Sequence, residues 1–236
     1  MGLFKKGSSA TLAKVYLLDG TILGRGNYAT VVKASPHDSA RVCRRKDGTL
    51  VQLPLEVAVK SIEKASVSGP ELRREISVMQ ALSGHAHIID FFEVFDEPRA
   101  LHLVLELLSG GSLFERIVAT GFYTESQAAA TLAMLCSALD FVHSRGIVHR
   151  DVKPENIMYA TAAEDAPIKL VDFGTSILRG EPLAGNASAL AGTPSYVAPE
   201  ILRRTGLDDP AWCGASARSH DLWAACPLPA DWLPGS

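Results

Sequence analysis

Short apolar and β-branched stretches separated by polar turns occupy the first hundred residues, a pattern typical of β-strands. The polar, basic segment 36–54 interrupts them and contains Asp47-Gly48, which predicts a long hairpin connection or insertion that lengthens a surface loop. This part of the chain is therefore predicted to be rich in β-structure. Strands are predicted at six stretches: 15–18, 22–23, 31–32, 57–59, 88–95 and 101–106.

Two longer stretches, 69–83 and 124–145, have apolar residues at helical spacing. Gly69-Pro70 favours the start of the first helix, and Thr124 with Gln127 forms a capping box at the start of the second. The residues expected on the buried faces are Leu72, Ile76, Met79 and Leu82 in the first helix and Leu132, Leu135, Leu139 and Val142 in the second. Gly84 and Gly146 are expected to cap the two C-terminal ends, and short strands are predicted at 157–159 and 168–171.

Composition excludes several classes of protein. The chain has 236 residues, of which 47% are hydrophobic and 21% charged, as in a globular domain. Its net charge of −3 gives no reason to expect binding to nucleic acid. No apolar run approaches the ~20 residues of a transmembrane helix, and no secretion leader is expected. The four cysteines lack C-x-x-C spacing, so reduced thiols and a cytoplasmic location are expected.

Two runs in the first half carry groups suited to phosphate. Gly24 and Gly26 let the backbone approach phosphate oxygens without a Cβ in the way, although alone they predict only a β-turn. Lys60 ends the apolar strand and can bind phosphate as a compact cation. Glu75, fifteen residues later on the first helix, can orient that lysine, although an exposed helical position is its simpler interpretation.

Three further runs follow the second helix. Within His-Arg-Asp-Val-Lys-Pro-Glu-Asn at 149–156, Asp151 can orient a hydroxyl or accept its proton, Lys153 can neutralise phosphate, and Asn156 can offer an oxygen to Mg²⁺. Asp172, in Asp-Phe-Gly, lies 21 residues after Asp151, and a hairpin would return it beside Asn156. The run 192–200, which contains Thr193-Pro194, alone predicts only a loop that enters a helix.

In this order the five runs resemble the catalytic domain of a eukaryotic protein kinase, from about Leu12 to Glu200 with a faint continuation to Ala224. Lys153 and Thr193 resemble the serine/threonine branch, and LVLELLSGGSLFERI and HRDVKPENIMY are most similar to the calcium/calmodulin-dependent group. The resemblance implies an α+β, two-lobe fold with a β-rich N-lobe and a mainly helical C-lobe. The implied segments are a disordered lead 1–11, an N-lobe 12–106, a hinge 107–111, a partial C-lobe 112–224 and an irregular tail 225–236.

The resemblance also implies the role of each site residue. Asp151 would be the catalytic base and Lys153 the γ-phosphate contact, whereas Lys60, paired with Glu75, would hold the α- and β-phosphates. The Mg²⁺ ligands would be Asn156 and Asp172. Other ATP contacts would come from the glycine-rich loop, the adenine pocket and the hinge: Leu23, Gly24, Gly26, Val31, Ala58, Leu105, Glu106, Leu108 and Met158. The implied reaction transfers the ATP γ-phosphoryl group to Ser or Thr of protein substrates, and calcium or calmodulin regulation stays open.

The chain also departs from the family pattern. Ala29 stands where a third glycine is usual, and Ser112 where an acidic residue is common. A helix resembling the family's central scaffold starts at His220 but soon meets the prolines of the tail, so the C-lobe is expected to be incomplete. Arg150 is expected to meet a phosphate on the loop 175–197. Ser188 and Thr193 are the candidates there, with Ser188 the better phosphosite and Thr193 the better substrate-loop contact.

Three hypotheses therefore stay open. The first is an active protein serine/threonine kinase, which the intact Asp151, Asn156 and Asp172 favour. The second is a catalytically weak or silent, pseudokinase-like module that binds nucleotide or a partner. The third is a fragment that does not fold alone. The departures near the C-terminus favour the second and third hypotheses.

Overall fold

A computed structural model describes residues 11–26, 28–38, 41–45 and 48–178, together with Thr193, Tyr196 and Asp221. Two compact units share the chain: one combines Met1–Ser83 with Ile89–Leu108, and the other combines Gly84–Ile88 with Ser109–Ser236. The tail prolines and Ser188 lie outside the described residues. Within the described part, no helix is both long and apolar enough to cross a membrane.

The first unit is built around a five-stranded antiparallel sheet with the strand order β1-β2-β5-β7-β6. A separate two-stranded hairpin, β3–β4, stands between β2 and β5 in the chain. The elements are α1 (Leu12–Val15), β1 (Tyr16–Arg25), β2 (Ala29–Pro36), β3 (Val42–Arg44), β4 (Leu50–Gln52), β5 (Val57–Glu63), α2 (Gly69–Leu82), β6 (Phe91–Asp96) and β7 (Ala100–Glu106). The β-rich N-lobe expected from the sequence is confirmed.

The β3–β4 hairpin, which we call the insertion hairpin (41–53), occupies the segment predicted as a connection or insertion. The predicted hairpin is present, and one side of it is part of the hydrophobic core, which the expectation of a lengthened surface loop did not include. Cys43 and Leu53 are buried, and Val51 packs against them in a cluster that includes Tyr16 and Phe95. Alternation along the two short strands explains this, since Cys43 and Val51 oppose each other and face the same side.

Helix α2 has clear sequence signals at both ends. Ser68 accepts a hydrogen bond from the backbone N–H of Glu71, and the Glu71 side chain accepts from the Ser68 backbone, which completes a capping box. At the other end Ser83 is the C-cap, and Gly84 follows with a left-handed φ of 95°. The apolar face predicted for this helix is buried, and so is Glu75, for which an exposed position was the simpler interpretation from the residue alone.

The described residues of the second unit include two α-helices and two pairs of short strands. Its elements are α3 (Leu113–Thr120), α4 (Glu125–Ser144), β8 (Ile147–Val148), β9 (Ile157–Tyr159), β10 (Ile168–Leu170) and β11 (Ile177–Leu178). β9 pairs with β10 and β8 with β11, both antiparallel. Helix α3 was not predicted, although Ser112 and Glu115 form a capping box and Gly121 ends it in the left-handed region.

Helix α4 follows the predicted capping box and buries Leu135, Leu139 and Val142. Leu132 was expected on the same face, but that prediction was wrong because its side chain is 39% exposed. Thr131 occupies the buried position one turn before Leu135 instead. A helix repeat of 3.6 residues allows either neighbour to face the core, and the sequence alone favoured the larger apolar one.

Candidate active site

Lys60 and Glu75 form an ion pair inside the first unit. The Lys60 Nζ donates to Glu75 Oε1 at 2.8 Å, and the two side chains are only 17% and 10% exposed. Lys60 is held by β5, whose neighbours β2 and β7 fix it on both sides, opposite Val31 and Leu103. Glu75 lies on α2, so the pair joins the sheet to the helix and keeps a cation at a defined place.

The glycine-rich turn joins β1 and β2. The Gly26 N–H donates to the Ala29 carbonyl at 2.8 Å, which closes the turn. A Cβ on Gly24 would meet no atom within 4 Å, and one on Gly26 would meet only the Ala29 oxygen at 3.8 Å. Neither glycine needs a positive φ, so contacts within the described chain do not explain why glycine stands at these positions.

The residues predicted to hold adenine in the first unit lie on adjacent strands. Ala58 opposes Leu105 across the β5–β7 pair, and Val57 opposes Glu106. Ala58, Leu105 and Leu108 are buried, whereas Val31 and Glu106 are half-buried and Leu23 is 43% exposed. The structure therefore brings Ala58 and Leu105 together at the middle of the sheet.

Asp151 lies at the centre of a hydrogen-bond cluster in the second unit. Its Oδ2 accepts from Asn156 Nδ2 at 3.0 Å and lies 2.8 Å from Lys153 Nζ, and its Oδ1 accepts from Thr193 Oγ1 at 2.8 Å. The Lys153 Nζ also donates to Thr193 Oγ1 at 2.7 Å. A short 3₁₀ helix, Pro154–Asn156, bends the chain back so that Asn156 reaches Asp151.

This cluster keeps the Asp151 carboxylate charged. Burial by itself would raise its pKa, but the hydrogen bonds from Lys153, Thr193 and Asn156 and the charge of Lys153 outweigh that effect and lower the pKa below the usual value. At neutral pH the group is therefore an ionised hydrogen-bond acceptor with defined neighbours.

A buried carboxylate fixes the backbone that precedes Asp151. Asp221, fully buried, accepts the backbone N–H groups of His149 and Arg150, both at 2.8 Å, and its Oδ2 lies 3.0 Å from His143 Nε2. Arg150 has φ 70°, a conformation that such an anchor can stabilise. The sequence offered one signal for this residue, an acidic side chain in the predicted scaffold helix, but did not assign it a role.

Asp172 follows the hairpin that the spacing predicted. Val171 donates its N–H to the Asn156 carbonyl at 2.9 Å, so Asp172, the next residue, enters beside Asn156. It is exposed and has φ 59°. Its neighbour Phe173 is buried against the His149 ring at 4.8 Å between centroids. Met158, on β9, is half-buried, and its backbone forms an isolated antiparallel β-bridge with Ser112.

Arg150 and Ser112 also stood out in the sequence, and the structure gives hydrogen-bond partners for both. Arg150, expected near a loop phosphate, is buried, and its Nε donates to the Thr175 carbonyl at 2.7 Å. Ser112, which stands where an acid is common, uses its hydroxyl as the N-cap of α3 and accepts from the Glu115 N–H at 3.1 Å. Its side chain therefore serves the local helix start.

Comparison with known proteins agrees with this geometry. A family model of the protein kinase domain matches residues 18–225. Calcium/calmodulin-dependent protein kinase type IV of Homo sapiens is 43% identical over 182 residues, which cover 77% of this chain and 34% of that protein. Calcium-dependent protein kinase 5 of Plasmodium falciparum is 40% identical over 217 residues, covering 91% of this chain and 33% of that protein. Calcium/calmodulin-dependent protein kinase type 1B of Homo sapiens is 39% identical over 204 residues, covering 86% and 52%.

The Lys60–Glu75 ion pair in the first unit and the Asp151 cluster in the second unit define a protein of the kinase class. The chain belongs to the protein kinase domain family. The resemblance to the calcium/calmodulin-dependent group is confirmed by the relatives it matches. The chain spans about a third to a half of the length of these relatives.

Proposed function

We propose that this chain transfers the γ-phosphoryl group of ATP to Ser or Thr hydroxyls of protein substrates. The observation that carries the proposal is the Asp151 carboxylate, held ionised by Lys153, Thr193 and Asn156. An ionised carboxylate can align an incoming hydroxyl and receive its proton as the phosphoryl group arrives.

Charge neutralisation is the second requirement of this reaction. The transition state for phosphoryl transfer is loose, so the protein contributes mainly by positioning and electrostatic stabilisation. In the first unit, Lys60 is kept in place by Glu75 and is suited to hold phosphate oxygens. Lys153 lies 2.8 Å from the Asp151 carboxylate and supplies a second cation beside the acceptor site.

The residues present also fit a nucleotide and a divalent cation. Open space around Gly24 and Gly26 would admit phosphate oxygens close to the backbone. Both hydrogen bonds of Asn156 to Asp151 use its amide nitrogen, so its amide oxygen is the atom suited to a cation. With the exposed Asp172 carboxylate this makes an oxygen donor set that Mg²⁺ prefers. When bound, Mg²⁺ would neutralise charge on the phosphate oxygens.

The catalytically silent alternative has less support. A silent module would not need an acceptor carboxylate, a cation beside it and a paired lysine, yet the chain keeps all three in ordered contacts. Calcium or calmodulin regulation, which the names of the relatives suggest, and the cytoplasmic location both stay predictions.

Phosphate transfer to a Ser/Thr peptide library in the presence of Mg·ATP tests the proposal. The wild-type chain is compared with Asp151→Asn and with Asp140→Asn, which changes an exposed acid on α4. We expect incorporation to fall by roughly 10²- to 10⁴-fold in Asp151→Asn only. Equal incorporation by all three proteins, or none by the folded wild type, would contradict the proposal.

A further inference from the structure

We propose that Arg45, on the insertion hairpin, is a positioning residue for nucleotide binding, and that it acts through Asp90 on the ends of α2 and β7. The proposal rests on the proposed function, because it concerns the same nucleotide site. All the contacts that carry it lie within the first unit. Arg45 itself would touch no nucleotide; it would fix the elements that do.

Arg45 is itself held firmly. Its N–H donates to the Thr49 carbonyl at 2.8 Å, and its carbonyl accepts from the Gly48 N–H at 2.9 Å, so both sides of its backbone are tied into the hairpin turn. The buried side of the same hairpin, with Cys43 and Val51, is part of the core. The Arg45 side chain is only 21% exposed, so it points away from solvent while its backbone is hydrogen-bonded within the hairpin.

Asp90 receives this side chain and connects it to two other elements. Arg45 Nη2 donates to Asp90 Oδ1 at 2.8 Å, and the Ser83 hydroxyl donates to the same oxygen at 3.0 Å. The Asp90 N–H donates to the Glu106 carboxylate at 3.2 Å, and the Glu106 N–H donates to the Asp90 carbonyl at 2.9 Å. The insertion hairpin, the C-cap of α2 and the last residue of β7 therefore meet at one aspartate.

Electrostatics explains why an arginine is needed there. A carboxylate beside the C-terminal end of a helix is unfavourable, because that end carries a partial negative charge. Helix α2 has no basic residue in its last turn, and its C-cap Ser83 is bonded to the Asp90 carboxylate. Arg45 supplies the missing positive charge, so that Asp90 can hold the helix end without repelling it.

The elements held by Asp90 are those that the proposed reaction uses. Helix α2 carries Glu75, the partner of Lys60. Glu106 ends β7 and opposes Val57 on β5, the strand that carries Lys60 three residues later. Releasing Asp90 would therefore loosen the pairing of Lys60 and the backbone predicted to bind adenine, without removing either group.

The neighbouring arginine provides a matched control. Arg44 precedes Arg45 on the same hairpin, but it is exposed and its Nη1 donates only within the hairpin, to the Gly48 carbonyl at 3.1 Å. Arg44→Gln and Arg45→Gln remove the same charge from adjacent positions. Only Arg45→Gln removes the contact with Asp90.

Titration of the full chain with a fluorescent ATP analogue and Mg²⁺ tests the proposal. We expect the dissociation constant to rise about three- to tenfold in Arg45→Gln and Asp90→Asn and to stay unchanged in Arg44→Gln. Arg45→Lys should recover part of the loss, and the double variant Arg45→Gln/Asp90→Asn should be no weaker than either single one. With peptide substrate, KM for ATP should rise while KM for the peptide stays constant.

The outcomes separate this inference from the proposed function. A folded wild type that binds no nucleotide would overturn the proposed function and this inference with it. Nucleotide binding by the wild type with equal dissociation constants for Arg44→Gln and Arg45→Gln would overturn the inference alone. A purely structural role would lower the number of binding sites without changing the dissociation constant. If Arg45→Gln does not fold, Ser83→Ala decides, because it removes the hydroxyl that links the α2 C-cap to the Asp90 carboxylate and to the Phe91 carbonyl. A dissociation constant equal to that of the wild type would then overturn the inference.

Discussion

The hydroxyl of Thr193 donates a hydrogen bond to the carboxylate of Asp151 at 2.8 Å. The same hydroxyl oxygen accepts from Lys153 Nζ at 2.7 Å, so one side chain bridges an anion and a cation that are themselves in contact. Forty-two positions separate Thr193 from Asp151 in the chain. The bridge therefore links Thr193 to the proposed catalytic base across that separation.

Thr193→Val, which removes the hydroxyl and keeps the side-chain shape, should lower kcat about 10- to 100-fold, the equivalent of one charge-assisted hydrogen bond. The pKa of Asp151 should also rise, because the Thr193 hydrogen bond is one of the interactions that lower it. The acidic limb of the kcat/KM profile should therefore move to higher pH. Thr193→Ser should restore both quantities, and a Val variant with an unshifted profile would show that the bridge has no part in the reaction.

Replacing either member of the buried Lys60–Glu75 pair by a neutral residue should lower the stability of the chain, but by unequal amounts. Lys60→Met leaves the Glu75 carboxylate without this partner at 10% exposure, whereas Glu75→Gln keeps a polar group that can still accept from Lys60. Lys60→Met should therefore lower the free energy of unfolding by about 1–3 kcal/mol and Glu75→Gln by less. Both variants should also weaken nucleotide binding. Denaturant unfolding measures the loss of stability, and equal stabilities of the two variants would contradict the predicted difference.

Gly110 allows two segments of the second unit to lie against each other. A Cβ at this position would stand 2.1 Å from the Thr161 carbonyl oxygen and 2.5 Å from Tyr159 Cβ. The Gly110 N–H also donates to the Tyr159 carbonyl at 3.1 Å, so the backbones cannot separate without losing that bond. Gly110→Ala should therefore cost about 2–4 kcal/mol in the free energy of unfolding.

Gly24→Ala is the control for that change, because a Cβ there meets nothing within 4 Å. It should leave the unfolding transition in place and instead weaken the binding of Mg·ATP. Thermal unfolding of both variants without nucleotide separates the two effects. A Gly110→Ala chain as stable as Gly24→Ala would mean that the 109–111 segment can move away from Thr161.

Elements with strong local signals were predictable from the sequence. Helix α2 and helix α4 follow their capping residues and their apolar repeats, and the β9–β10 hairpin follows from two short apolar runs. The position of Asp172 beside Asn156 follows from that hairpin. Pairing of Leu170 with Ile157 brings the residues that follow Leu170 next to the residue that precedes Ile157. Local propensity and short-range pairing determine these features, and both are visible in a sequence.

Contacts between distant segments were not predictable in the same way. Whether Glu75 is exposed depends on what packs against α2, and the residues alone favoured exposure, since its pairing with Lys60 was implied only by the family resemblance. The insertion hairpin is rich in polar residues, with arginines on both sides of Cys43 in the sequence, so its composition did not indicate that one side is buried. Asp221 bonds to backbone groups 71 and 72 positions away, and the sequence around it does not specify them.

Asp221 provides a test of how the loop before Asp151 is held. Asp221→Asn keeps one acceptor oxygen where the carboxylate uses two, Oδ1 for Arg150 N–H and Oδ2 for His149 N–H. One buried backbone donor would lose its partner, which should cost about 1–3 kcal/mol. The activity should fall as well, because Arg150 at φ 70° directly precedes Asp151. Asp140→Asn, on the exposed face of α4, should change neither quantity, and identical melting of the two variants would contradict the anchor role.

His102 should make the stability of the chain depend on pH in a window that begins near the usual histidine pKa of about 6.5 and extends below it. Burial is the main cause that lowers its pKa, and Lys64 adds to it, although Glu97 acts in the opposite direction. The folded state therefore binds the proton less well than the unfolded state, whose histidines titrate near a pKa of about 6.5. The free energy of unfolding should accordingly fall as the pH drops through that value, by at most about 1.4 kcal/mol per pH unit for one proton.

His102→Gln should flatten this dependence while keeping a polar group within reach of the Ser61 hydroxyl, which lies 2.8 Å from His102 Nδ1. His85, whose pKa is also lowered, first by burial and then by His87 and Lys169, should supply the part of the slope that remains. The carboxyls of Glu71 and Glu115 have lowered pKa values and therefore titrate below this window. Denaturant unfolding at several pH values, with the exposed His37→Gln as control, measures the slopes, and equal slopes for His102→Gln and wild type would show that this imidazole is not the group that responds.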